Sequence, residues 1–244
     1  MSTLTKQDTF QSLLDSASSS FASIRTQAKE TYLTQGLPSL KEEEYKFTSI
    51  TKKLESKIRE FKSALPFAVS KEDIKSALFE GFDGDILVFS NGNYLPELST
   101  SPKGITVSPL SQVENTPLGS IAKPEKDAFS ALNLASFSDG LFISVPQKQK
   151  VEKPILLLFF NQANSGQVIQ PRVWIEAGDF SEVTFIEHSI SQTENPYFVN
   201  KVVEIKGGLN SYVNYYRLQN ESKNAIEVSN IHTDVFQDSR FTSV

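Results

Sequence analysis

The spacing of apolar residues changes character about a third of the way along the chain. In the first 35 residues Phe10, Leu13, Leu14, Ala17, Phe21, Ile24, Ala28 and Tyr32 recur mostly at steps of three and four, with Lys6, Asp15, Arg25 and Lys29 between them. That period predicts one long amphipathic helix over residues 1–35. Gly36 and Pro38 end it, glycine by closing the last turn and proline by refusing to continue it. Such a stripe either receives a partner or packs on its own domain, and packing is the simpler reading. A second helix is expected after Ser39, with Tyr45, Phe47, Ile50 and Leu54 inward. A third is expected from Ser70 to Phe79, closing at Gly81, with the Ser70 hydroxyl as its cap.

From residue 85 the pattern becomes strand-like. Ile86–Phe89 leads into Asn91-Gly92, a two-residue hairpin signal because both positions tolerate positive φ. Tyr94 and Leu95 lie on the returning strand, and Ile105–Val107 is a further short strand. A last helix is expected over Glu125–Ser136, with Phe129, Leu132 and Phe137 inward. After Asp139-Gly140 the chain reads as strands only: Leu141–Val145, Ile155–Phe160, Arg172–Glu176, Glu182–Ile190, Phe198–Ile205, Ser211–Leu218, Ala225–Val235 and Phe241–Val244. Turn signals separate them. Their spacing without intervening helices suits a sandwich, a barrel or a β-solenoid, and pattern alone does not choose among these. The expected organisation is a mainly helical region with a short hairpin unit over 1–136 and the first part of a β core over 137–244. The last residues, Phe241 to Val244, fall inside an expected strand, so the chain reads as truncated, a fragment of a longer protein prone to self-association at its open edge.

Composition narrows the chemistry. The 244 residues include no cysteine. That excludes a disulfide framework, thiolate catalysis and any cysteine-ligated zinc or iron–sulfur site within them. The 24 basic and 29 acidic side chains form no basic stripe, which argues against nucleic acid as the main partner. The polar start, Met1 to Gln11, lacks a signal-peptide core, and the longest apolar run, Ile155 to Phe160, is too short to span a bilayer, so the cytoplasm is the expected compartment.

Neither a phosphate-binding glycine loop nor a dinucleotide turn, zincin motif or nucleophile elbow is present. His188 and His232 each have a carboxylate nearby, so a two-histidine metal site or an acid–base pair can be imagined. In a strand, however, Glu187 and His188 point to opposite faces, while His232 and Asp234 share one. Structural roles are expected for both histidines. The acidic run Glu42-Glu43-Glu44 reads as a solvated first turn of a helix. One residue of each pair Phe159-Phe160 and Tyr215-Tyr216 should face a core, and Trp174 is expected to pack. No catalytic, cofactor-binding or metal-ligating residue is assigned.

Several segments together resemble the SufB/SufD family, and within it the SufD branch. Leu37-Pro38 followed by Glu44-Tyr45-Lys46-Phe47-Thr48 is similar to the family's L-P pair ahead of E-W-[KR]-[YF]-T, with tyrosine at the tryptophan position. Asp85–Phe89 through Asn91-Gly92 to Leu98-Ser99 resembles its short β unit. Ala131-Leu132-Asn133, Phe137, Asp139-Gly140, Val145-Pro146, Val151 and Lys153-Pro154-Ile155 resemble its entry into the β core. Glu187, Asn200, Glu204 and Gln219 fall at positions that recur in the family's strands. The resemblance implies an α+β protein, an N-terminal helical region followed by a right-handed parallel β-helix. It also implies a non-catalytic scaffold of a cytosolic iron–sulfur assembly complex, partnered by a SufB-like protein and the SufC ATPase through regions beyond this segment. On that reading the segment binds no cofactor itself, and the cluster is handled by the whole complex. A SufB-like chain, a carbohydrate-active β-helix enzyme and a generic β-rich interaction module are the alternatives. Scattered carboxylates (Glu182, Glu187, Glu204) speak against the enzyme.

Overall fold

The computed structural model describes residues 10–15, 21–57 and 61–244. Helices α1 (Gln11–Asp15) and α2 (Ala22–Gln35) replace the single expected helix. Phe21 takes a left-handed conformation, φ 61°, and its carbonyl accepts the Arg25 amide at 3.0 Å, so a new helix starts there. This break lets Phe10, Leu13 and Leu14 on α1 and Ala28 and Tyr32 on α2 enter one apolar cluster. Residues 1–9 and 16–20, Ala17 among them, lie outside the described residues. Gly36 ends α2 as expected, at φ 70° with its amide on the Tyr32 carbonyl.

The expected second helix is shorter. A 3₁₀ turn at Glu43–Tyr45 precedes α3 (Ile50–Lys57), which buries Ile50 and Leu54. Phe47 sits between the two elements, out of helical phase, and is 91% exposed instead of inward. Strand β1 (Lys62–Ser63) and helix α4 (Lys71–Ala77) follow. Ser70 caps α4 in a reciprocal box: its hydroxyl accepts the Asp73 amide at 3.1 Å, and the Asp73 carboxylate accepts the Ser70 amide at 2.8 Å. The helix stops at Ala77, two residues before the expected end, because Leu78 is extended.

Strands β2 (Asp85–Ser90) and β3 (Asn93–Tyr94) form the expected hairpin, with Asn91 at φ 45° and Gly92 at φ 80°. At Gly92 a side chain would also be crowded, since a Cβ would lie 3.1 Å from the Pro171 nitrogen. Strand β4 is Thr106–Pro109. Helix α5 (Ala128–Ser136) begins three residues later than expected, where the Asp127 carboxylate accepts the Ser130 amide.

The rest of the chain winds as a parallel solenoid. Its strands are β5 (Leu141–Val145), β6 (Ile155–Asn161), β7 (Gln167–Ile169), β8 (Arg172–Ala177), β9 (Glu182–Ser191), β10 (Phe198–Gly207), β11 (Tyr212–Asn220), β12 (Ile226–Val235) and β13 (Arg240–Ser243). They alternate between two sheets. One carries β5, β8, β10 and β12 in parallel, and the other carries β2, β6, β9, β11 and β13 in parallel. Val202 pairs with Arg172 and Tyr212 with Glu182, thirty residues apart, while Ile226 pairs with Phe198 and Leu141 with Val173, so a turn of the solenoid takes 28 to 32 residues. The architecture is therefore α+β, with N-terminal helices and a β-solenoid, as the sequence resemblance implied. Of the strands, β1 and β7 were not foreseen; both are two or three residues long and pair only with each other and the start of β10.

One corner repeats with little change. Four-residue turns at 146–149, 178–181, 208–211 and 236–239 each close with a bond from the fourth amide to the first carbonyl, and each has a left-handed third residue: Lys148, Phe180, Asn210 and Asp238. The turns stack through Lys148 N–H to the Asp179 carbonyl, Phe180 to Leu209 and Asn210 to Gln237. The amide of the left-handed third residue in each of the first three turns is thus met by a carbonyl of the next turn, which locks the corners in register.

Three layers of apolar packing result. Inside the solenoid lie Ile143, Ile175 and Ile205 in one column and Ile155, Phe185 and Tyr215 in the opposite one. Phe89 stacks on Phe159 with centroids 4.2 Å apart, worth about 1 kcal/mol beyond area burial. The outer face of the β10 sheet is covered by α1, α2 and α5 through Phe10, Tyr32, Phe129, Trp174 and Phe198. Around α4, Val69 and Ala77 cover Leu156, Leu158 and Phe160 on the other sheet. Strand β6 is buried on both faces, which is why its sequence reads as a continuous apolar run.

Candidate functional site

Charged side chains occupy one end of the solenoid interior. Lys201 on β10 is fully buried, its Nζ donating to Glu187 Oε1 at 2.7 Å and Ser189 Oγ at 2.8 Å while lying 4.4 Å from the Phe159 ring centre. Arg217 on β11 reaches Glu187 at 3.3 Å and Glu227 at 3.4 Å, and Glu227 on β12 lies 3.5 Å from Lys201. The four charges close a ring across β9, β10, β11 and β12. Tyr215 donates to Glu187 Oε2 at 2.7 Å, and Gln219 to Glu227 Oε2 at 2.7 Å. Beside the ring, Glu221 accepts from Asn161 at 2.6 Å, Ser191 at 2.7 Å and Tyr197.

The electrostatics follow from burial set against pairing. Burial pushes the Glu187 carboxyl up, but Lys201 and Arg217 outweigh it and hold the group below the usual carboxylate range. Burial likewise opposes the Lys201 charge, and Glu187 with Glu227 overcomes it, so its pKa is raised. At Glu227 burial wins and the pKa rises, against the pull of Lys201 and Arg217. Burial, reinforced by Glu187, pushes the Tyr215 phenol far up.

A second polar cluster sits outside the same sheet, under α5. Glu204 on β10 is fully buried and accepts the amides of Gly119 at 3.0 Å, Ile121 at 3.1 Å and Ala122 at 3.0 Å, as well as the Arg172 guanidinium. Arg172 also donates to Asn133 Oδ1 at 2.8 Å, and Asn133 donates to the carbonyls of Pro171 and Asn200. Asn200 donates to the Phe129 carbonyl and to Gln170. This network nails the loop at 116–124 and helix α5 to the sheet. Of the residues singled out by the family resemblance, Glu187 belongs to the interior ring and Gln219 bonds its member Glu227, while Asn200 and Glu204 are linked outside the solenoid through Asn133 and Arg172.

A groove of about 510 Å³ runs along β12, lined by Glu42, Tyr45, Lys126, Asp127, Glu227 and His232 among others. Asp127 anchors its wall, accepting from Tyr45 at 3.0 Å and Asn230 at 2.9 Å besides capping α5. His232 contacts Ser130 Oγ at 3.2 Å, and burial lowers its pKa against Asp127 and Glu204. His188 is on the other sheet, stacked on Phe79 at 5.2 Å and 3.1 Å from Asn220 Nδ2, its pKa also lowered by burial. The two histidines are thus not brought together. Among the described residues no three His, Asp or Glu side chains form a group that could hold a metal ion. Glu42 and Glu43 are exposed around the 3₁₀ turn, Trp174 is buried with its indole on Glu176, and Phe159 and Tyr215 face inward while Tyr216 is part-exposed.

Lys201, Arg217, Glu227 and Arg172 were not among the residues the sequence drew out. Lys201 stands in Phe198-Val199-Asn200-Lys201-Val202-Val203, where a lone lysine looks like a solvated position. A signal does exist: Gly178-Asp179-Phe180-Ser181 and Gly208-Leu209-Asn210-Ser211 repeat at thirty residues, and that period places Glu187 beside Arg217.

Comparison with known proteins places two adjoining family matches on the chain. Residues 5–157 match the family model described as the SufBD protein N-terminal region, and residues 159–244 match the SufBD core domain of SUF system FeS cluster assembly. An iron–sulfur cluster assembly SufBD family protein of Synechocystis sp. is 28% identical over 216 residues, 79% of this chain and 46% of that one. SufD of Escherichia coli is 26% identical over 195 residues, covering 78% and 44% of the two chains. SufD of Bacillus subtilis is 32% identical over 102 residues, covering 41% and 23%. The chain spans about half the length, or less, of the curated relatives it matches. With helices, hairpin unit and solenoid all falling within the two matched regions, the chain belongs to the SufB/SufD family of the SUF iron–sulfur cluster assembly system.

Proposed function

We propose that this chain is the N-terminal part of a SufD-type subunit that acts in the cytoplasm as a non-catalytic scaffold for iron–sulfur cluster assembly, alongside a SufB-like protein and the SufC ATPase. The observation that carries this reading is the pair of adjoining family matches over 5–157 and 159–244, set on a solenoid whose buried charges bond to one another. Side chains so occupied hold a frame in register, which is what a scaffold needs. The cluster is cargo of the assembled complex, and this segment ligates none of it.

The carbohydrate-active alternative fares worse, because Glu182 is exposed at a corner, Glu187 lies inside the solenoid and Glu204 outside it under α5. No two of them can flank one glycosidic bond. The test is co-expression of the full-length parent protein with its SufB-like and SufC-like neighbours, read by native mass spectrometry. A stable three-component complex is expected. A parent chain that ignores both neighbours would leave the family match as a likeness of fold and sink the proposal.

A further inference from the structure

Phe47, at 91%, is the most exposed large apolar side chain among the described residues. Its support is held firmly. Tyr45 donates to Asp127 and rests on Phe129 with ring centres 5.8 Å apart, and α3 begins at the buried Ile50. Lys46 stands with its Nζ 5.4 Å from the centre of the Phe47 ring. Beside this knob lies a cleft of about 310 Å³ between the 38–41 stretch and the start of α3. Pro38 and Ile50 are its buried apolar walls, and Leu40, 45% exposed, forms its rim. The cleft is preformed, because the Thr51 hydroxyl donates to the Pro38 carbonyl at 2.5 Å and Glu42 accepts the Ser39 amide at 2.7 Å. Thr48 lines it, yet the preceding Phe47 ring stands out in solvent and leaves it unfilled.

We propose that this face pairs two copies of the chain about a two-fold axis, the Phe47 ring of each copy entering the cleft of the other. A two-fold contact sets one patch against itself, so it needs a patch that carries both a projection and a recess. Here they adjoin. Size permits the fit, since a cavity of about 150 Å³ already admits benzene. Charge selects the partner. Lys41, Lys46, Lys52 and Lys53 surround the knob and cleft together with Glu43 and Glu55, all exposed and none in an ion pair among the described residues. A partner of one sign, such as a nucleic acid or an anionic membrane, would meet as much repulsion as attraction there. A second copy presents the same mixture and can match each sign with its opposite.

The strength of the contact follows from its extent. A standard interface buries about 800 Å² on each partner, and one ring, one cleft and their charged rim fall short of that, so the dimer is weak and reversible. Ion pairs at an exposed rim are screened, and added salt loosens it further. Two buried rings at the centre of the contact carry most of its free energy, as aromatic anchors do in small interfaces. The inference goes beyond the assembly role and does not depend on it. It is also separate from the open strand edge at Arg240–Ser243, which lies on another element.

The experiment is sedimentation velocity of the 244-residue chain over a concentration series, in wild type and in Phe47→Ala. The wild type should pass from monomer to dimer as concentration rises, and the variant's dissociation constant should be higher by about thirtyfold or more. Phe47 touches no core, so the variant should melt with the wild type. A mixed sample of isotope-labelled and unlabelled wild type supplies the second measurement. Filtered nuclear Overhauser spectra should connect the Phe47 ring of one copy to the Leu40 and Ile50 methyl groups of the other. Two results overturn the proposal. One is a wild type that stays monomeric up to millimolar concentration, which leaves the face to a different protein. The other is a dimer that persists unweakened in Phe47→Ala, which places the contact elsewhere, at the strand edge for example.

Discussion

Replacing Glu204 by alanine withdraws one carboxylate from four donors at once. The Arg172 guanidinium and the amides of Gly119, Ile121 and Ala122 all point at it, and both Arg172 and Glu204 are fully buried. Arg172 would keep only Asn133 as a side-chain acceptor, its Nε already lacking a partner among the described residues. Breaking a buried ion pair by removing one partner costs about 3–5 kcal/mol, because the other charge is left uncompensated. The orphaned amides add to this, though not additively, since the loop at 116–124 can move out to water. A loss of about 4 kcal/mol is expected, a large share of the roughly 5–15 kcal/mol that stabilises a typical fold. At roughly 2–4 °C per kcal/mol for a chain of this size, the melting temperature falls by about 8–16 °C. Urea denaturation followed by circular dichroism measures it directly. Glu204→Gln keeps the shape but turns one acceptor into a donor, so it should fall between wild type and Glu204→Ala. The double variant Arg172→Met with Glu204→Met should be more stable than Glu204→Ala, because it removes both charges and refills the volume. A Glu204→Ala protein within about 1 kcal/mol of wild type would refute the claim that this carboxylate pins the loop and α5 to the sheet.

Three further outcomes test other parts of the structure. Gly92→Ala combines φ 80° with a Cβ 3.1 Å from the Pro171 nitrogen, so a loss of about 1–3 kcal/mol is expected by chemical denaturation. Asp127→Ala removes the α5 cap together with the acceptor for Tyr45 and Asn230, and should cost about 1–2 kcal/mol in the same assay, with faster exchange at the first turn of α5. The Glu187 carboxyl has a lowered folded pKa, so its contribution is present above the ordinary glutamate value and lost as pH falls through the folded value. Stability measured against pH should accordingly drop on the acid side in wild type, and less steeply in Glu187→Gln from its lower starting point.

Local chemistry decided what each stretch of chain became. Asn91-Gly92 adopts its hairpin because two adjacent positive φ angles suit few other pairs, and Ser70 with Asp73 starts α4 within four residues of chain. Eight of the nine strands of the β region were visible because runs such as Ile155–Phe160 are apolar and turn residues part them. The family resemblance, carried by residues spread from Leu37 to Gln219, pointed to a solenoid where periodicity alone left three architectures open. What local pattern did not settle is instructive. Helical spacing ran unbroken through Phe21, but the left-handed bend there depends on folding α1 and α2 onto the same cluster as Phe61, Phe137 and Phe198. Phe47 looked inward by phase, yet the chain leaves helical geometry between Tyr45 and Ile50. The interior ring is tertiary in the strict sense. Its members come from four strands, and only the thirty-residue turn of the solenoid sets Arg217 beside Glu187 and folds Lys201 and Glu227 across from them. A charge in a strand is ambiguous in sequence because its partner is a full turn away. The fold alone decides whether that charge meets water or an opposite charge.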